Sequence, residues 1–150
     1  MDTALMVAEL TRDESCRLVA YDDATGAPIK PGTTVKGHCT IGVGRALDAR
    51  GISPAEAQYL LSNDIAAFTL GLQQAYTWFN GLDDVRQRCL INMAFNLGLA
   101  GLATFKAMLA CVAAQDYDGA AGAMEASVWY TQVGARAHRL TLAMRSGIAQ

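Results

Sequence analysis

The sequence predicts a mixed α+β fold, predominantly helical, in which one domain of 150 residues carries a small αβ lobe and a larger helical lobe. Three observations carry that prediction. Chain-breaking residues crowd into Tyr21–Gly51, where Asp22, Asp23, Gly26, Pro28, Pro31, Gly32, Gly37, Gly42 and Gly44 punctuate short β-prone runs. At Ser53 the grammar changes to "SPAE", a helix start signal. From Leu82 onward, apolar residues recur at helical spacing and only glycines interrupt them.

Taken in order, Leu5, Met6, Leu10 and Leu18 suit a first helix from Thr3 to about Val19. Short strands are predicted around Val19–Tyr21, Thr33–Lys36 and Cys39–Val43. Ser53 is a good N-cap, Pro54 fits the first helical position and Glu56 completes a capping box. The helix that starts there should reach about Tyr76, roughly 30 Å or more at 1.5 Å per residue, long enough to bridge two lobes. Leu82, Val85, Cys89, Leu90, Met93, Ala94 and Leu97 form the next helical stripe, closed by Gly98. Three further helices are expected over about Ala103–Ala114, Tyr117–Ala126 and Ala135–Arg145. The lobes then comprise about residues 1–53 and 81–150, with a connecting helix in 54–80.

Composition narrows the function. Apolar residues make up 52% and charged residues 17%, which suits a packed globular chain. A formal net charge of −2 argues against a general nucleic-acid binder but leaves an uncharged polymer such as a glycan open. No apolar run approaches the roughly 20 residues of a membrane helix, and Met1–Leu10 lacks the basic start of a secretory signal, so neither export nor stable membrane insertion is expected. The four cysteines, Cys16, Cys39, Cys89 and Cys111, contain no CxxC pair, which makes zinc unexpected and buried thiols the reading. A Cys16–Cys39 bridge stays open. His38 and His138 have no metal or triad spacing and are expected to face solvent.

Three polar side chains of the small lobe stand out. Glu14 lies in the first helix, Asp23 in the turn that follows, and Thr40 on a strand flanked by Gly42 and Gly44. Glycosidic bond cleavage needs one carboxyl group protonated to release the leaving oxygen and a second, ionised, to stabilise the sugar or prepare a water. A hydroxyl can hold that water. Glycines beside Thr40 suit close approach by a polymer.

The string "DESCRLVAYDDATG…CTIGVGRAL" resembles the catalytic region of phage-type lysozymes, the endolysins of glycoside hydrolase family 24. In that family a Glu on the first helix is followed, after eight intervening residues, by an Asp, and then by a Thr in a T-I-G-x-G strand. Glu14, Asp23 and "TIGVG" (Thr40–Gly44) reproduce the pattern. "LDDVRQRCLINMAFNLG", "GLATFKAML" and "VWYTQVGARAHRL" resemble later family segments in the same order, so the likeness runs from about residue 8 to 147.

The resemblance implies a two-lobed lysozyme-like fold. It also implies an inverting muramidase that cleaves peptidoglycan between N-acetylmuramic acid and N-acetylglucosamine, without metal or organic cofactor. Glu14 would be the general acid, and Asp23 and Thr40 would prepare the water. Arg136 would hold Glu14 in place, while Gln132 and Asn96 would face the glycan. Trp129 and Tyr130 read as core packing ahead of sugar platforms. A phage endolysin is implied, accumulating in the host cytoplasm and reaching the wall through a holin; separately, a monomer is expected because no heptad or long edge strand asks for a partner.

The sequence departs from the family pattern in three places. Sixteen residues, "ATGAPIKPGTTVKGHC", separate Asp23 from Thr40, where a short hairpin is usual. Arg45 stands where a histidine is common. The acid is doubled, so Asp22 competes with Asp23, which the spacing favours. Rival readings are a lytic transglycosylase or chitinase-like activity, and an inactive wall-binding or structural phage protein.

Overall fold

Asp2 starts the first helix, its carboxylate accepting the N–H groups of Ala4 at 2.9 Å and Leu5 at 3.2 Å. Helix α1 (Thr3–Glu14) stops earlier than the apolar spacing predicts, because Ser15 takes φ 62° and the chain leaves the helix there. The residues that were expected to continue it form β1 (Arg17–Asp22) instead. Leu18, counted in the helical stripe, is 86% exposed. Val19 and Tyr21 are strand formers, and pairing with a distant partner outweighs the local helical pattern.

That partner is β2 (Cys39–Gly42), antiparallel to β1, with Tyr21 opposite Thr40 and Asp22 opposite Cys39. β3 (Arg45–Ala46) adds to the other side, with Ile41 opposite Arg45. Gly42, Val43 and Gly44 make the turn between them, and both glycines take positive φ, 65° and 66°. Their absence of side chain is therefore demanded by the turn itself. The predicted strand over Thr33–Lys36 does not form. Pro31 and Gly32 make a turn in which Lys30 and Thr33 bond each other, and the Lys36 N–H goes to a carboxylate in place of a ladder.

The computed structural model describes residues 1–150 as two compact units, Met1–Gln58 and Tyr59–Gln150. In the first unit a short helix α2 (Leu47–Arg50) follows β3, and then α3 (Pro54–Ala75) begins. The capping box at its start is complete: Ser53 N–H donates to Glu56 Oε2 at 2.7 Å and Glu56 N–H donates to Ser53 Oγ at 3.2 Å. Arg45 binds the same carboxylate at 2.6 Å and the Gly51 carbonyl at 3.1 Å, which ties β3 to the head of α3. Together these hold the Glu56 carboxyl below the usual carboxylate range, the Ser53 N–H contributing most.

The second unit is helical. It contains α4 (Asp84–Leu102), α5 (Lys106–Ala113), α6 (Tyr117–Glu125), α7 (Val128–Val133) and α8 (Ala135–Ser146). Gly98 interrupts α4 with φ 73°, at the position the sequence marks as a stop. The short α7 was not anticipated, being one and a half turns set off by the Ser127 cap and Gly134. The apolar core lies here, built on Leu72, Phe79, Leu90, Leu102, Trp129 and four methionines, Met93, Met108, Met124 and Met144. Trp129 is 5% exposed and meets the Phe105 ring edge-on, so it packs as predicted.

Arg86 secures the end of α8. Its guanidinium donates to the Met144 carbonyl at 2.9 Å and the Arg145 carbonyl at 3.1 Å, bonds Asp83, and lies 3.6 Å from the Tyr117 ring centre. No single helix of the chain is both long and apolar enough to cross a membrane.

Candidate active site

Glu14 is the last residue of α1, and its side chain is exposed. Its carboxylate lies against the turn after Thr40: a β-carbon placed on Gly44 would sit 3.3 Å from Glu14 Oε2. The bare backbone at Gly44 thus serves the turn and leaves room for the Glu14 carboxylate, while a β-carbon on Gly42 would meet open space.

The two adjacent aspartates have opposite surroundings. Asp22 is 2% exposed, and its carboxylate accepts the N–H groups of Lys36 and Gly37, each at 2.9 Å, and of Ala24 at 3.1 Å. These bonds, the Lys36 one foremost, hold its carboxyl below the ordinary range against the opposing effect of burial. Asp23 is exposed and makes one such bond, accepting the His38 N–H on Oδ1 at 2.7 Å. Asp22 therefore holds the chain together, and Asp23 is the acid left facing outward.

Thr40 is 3% exposed, and its hydroxyl donates to the His38 carbonyl at 3.3 Å. Thr40 and Asp22 are the only buried residues in the first unit, whose interior is polar and hydrogen-bonded where the second unit's is apolar. The His38 ring is exposed, as expected, and meets Asp48 at 3.2 Å. Burial would raise the Asp48 carboxyl, but the His38 ring and the Cys39 N–H outweigh it and lower the value. His138 likewise has a partner, the Tyr130 hydroxyl at 3.1 Å.

In the second unit, Arg136 donates to the Asn92 side chain at 2.7 Å and to its carbonyl at 3.1 Å. Asn96 accepts the Trp129 indole N–H at 2.8 Å, a bond that the expectation of a glycan-facing or helix-capping Asn96 did not contain. Gln132 is exposed on α7. Asn92, His38 and Gly37 were not singled out by sequence reasoning. Their contributions are long-range or through main-chain atoms, and only the doubled Asp hints at the two anchors of the loop.

All four cysteines are free thiols. A Cys16–Cys39 bridge is ruled out by register: Cys39 faces Asp22 at one end of the β1–β2 ladder, whereas Cys16 precedes Arg17, which faces Gly42 at the other. Strand rise of about 3.3 Å per residue puts them well beyond the roughly 7 Å Cα limit of a disulfide. Cys16 is exposed, contrary to the expectation of buried thiols, while Cys89 is 2% exposed with its thiol pushed up to about 11 by burial.

A small hydrogen-bonded αβ unit that presents an acid at a helix end beside a T-I-G-x-G turn, joined in sequence to a helical unit, is the arrangement of a lysozyme-like fold. A sequence profile of the phage lysozyme family matches residues 11–145, and the chain belongs to that family. It is 29% identical over 160 residues to the pre-baseplate central spike protein Gp5 of Enterobacteria phage T4, across 95% of this chain and 28% of that protein. It is 27% identical over 99 residues to probable T4-type lysozyme 1 of Dictyostelium discoideum, across 64% of this chain and 58% of that one. Probable T4-type lysozyme 2 of the same organism matches at the same identity and coverage. The chain thus spans 28% and 58% of the lengths of these relatives.

Proposed function

We propose that the chain is a peptidoglycan hydrolase, a muramidase acting on the β-1,4 bond between N-acetylmuramic acid and N-acetylglucosamine. The observation that carries this is the placement of Glu14 against Gly44, in the turn of the Thr40 strand, within a unit where Asp23 is the exposed member of the Asp22–Asp23 pair. Glu14 would protonate the leaving oxygen. Asp23 would draw a proton from a water on the opposite face of the sugar, with the Thr40 hydroxyl oxygen as a second contact. Displacement by water from that face inverts the anomeric carbon. In the second unit, where Arg136 is held by Asn92, Gln132 and Asn96 would support glycan binding.

In this reading the substrate is the glycan strand of the bacterial wall, and a phage endolysin released through a holin is the setting. A second setting has its own observation. The alignment that covers most of this chain is to a phage spike protein, so a wall-degrading part of a virion is the alternative. The chain's presence in washed virions would favour it.

The chemistry is tested by digesting purified peptidoglycan and analysing the fragments by mass spectrometry and early-time NMR. Free muramic-acid reducing ends, formed first as the α-anomer, are expected. Anhydromuramic ends would identify a transglycosylase, and binding without any product would identify a wall-binding protein.

A further inference from the structure

We propose that Gly37 is a positioning residue for the Asp23 carboxylate, an inference that rests on the assignment of Asp23 above. The sixteen-residue loop that sets this sequence apart returns to β2 through Lys36, Gly37, His38 and Cys39. Three successive main-chain N–H groups go to carboxylates: Lys36 and Gly37 to Asp22, and His38 to Asp23. The His38 ring adds a tie to Asp48. His38 is thereby a shared mount, because its N–H holds Asp23 Oδ1 and its carbonyl receives the Thr40 hydroxyl.

The Asp23 carboxylate can lie back on this mount only because residue 37 has no side chain. A β-carbon on Gly37 would overlap Asp23 Oδ1, and would stand 2.8 Å from the Ala24 β-carbon and 2.9 Å from the Ala24 nitrogen. Gly37 does not take positive φ, so no left-handed strain bars alanine there, and the obstacles are the carboxylate and the Ala24 side chain and nitrogen. With Oδ1 committed to His38, Oδ2 is the oxygen that addresses the water. The buried Asp22 holds the neighbouring Lys36 and Gly37 N–H groups, which gives the doubled Asp a division of labour.

The test compares Gly37→Ala, Asp23→Ala and the double variant Gly37→Ala/Ala24→Gly with wild type, using soluble uncrosslinked glycan strands. Pushing Asp23 off the mount by about an ångström is expected to lower kcat about a hundredfold, with KM within about twofold of wild type. The double variant relieves the crowding against the residue 24 side chain while leaving the overlap with Asp23. It keeps the test valid should Gly37→Ala fold poorly, and it is expected to fold and stay slow. Wild-type kcat in either folded variant, with Asp23→Ala inactive, would overturn the positioning role and leave Asp23's assignment standing. Full activity in Asp23→Ala would remove that assignment and the inference together.

Discussion

At the scale of single residues, two neighbouring acids of identical chemistry are separated by their hydrogen bonds. Asp22 gives its oxygens to three main-chain N–H groups and is buried, whereas Asp23 gives one oxygen to His38 and is exposed. Because the folded-state pKa of Asp22 lies below its unfolded value, its contribution to stability is present above the unfolded value of about 3.9. It is lost as pH falls through the folded value. Asp22→Asn is therefore expected to melt at a lower temperature than wild type at pH 7, with the gap closing below about pH 4. A gap that stays constant from neutral to acid, measured by thermal melts across pH, would show that ionisation of Asp22 contributes nothing.

At the scale of elements, what the sequence made legible is what is decided locally. The Ser53–Glu56 box, the stop at Gly98 and the spans of α5, α6 and α8 each depend on residues within a turn or two. The end of α1 and the start of β1 depend on a strand some twenty residues later in the chain, and the apolar spacing of Leu18 misled accordingly. The same contrast holds in the site. Glu14, Asp23 and Thr40 could be named from spacing and motif, but the His38 mount, the Arg136–Asn92 pair and the Trp129–Asn96 bond join residues with no signature between them. Arg86 is another such tie, and it caps α8 from a side chain that is 12% exposed. Arg86→Leu would leave two carbonyls unbonded and Asp83 unpaired, at an expected cost of about 2–3 kcal/mol. That corresponds to a fall of roughly 5–10 °C in Tm. A fall of less than about 2 °C by calorimetry would mean that α8 is held by its packing alone.

At the scale of the whole molecule, the chain divides its labour between two kinds of interior. The second unit is held by an apolar core rich in methionine, and the first by carboxylates that terminate main-chain N–H groups. The residues proposed to do chemistry lie in the polar unit, where the same hydrogen bonds that stabilise the loop also orient side chains. An exposed Glu14 at a helix end adds little to that scaffold, so its removal should reach activity without reaching the fold. The most direct test is the clearing of outer-membrane-permeabilised Gram-negative cells by wild type and Glu14→Gln side by side, with melting curves for both. Loss of about 10²–10⁴-fold in rate at unchanged Tm is the expected result for a general acid. Clearing by Glu14→Gln at the wild-type rate would contradict the assignment of Glu14 and the mechanism built on it.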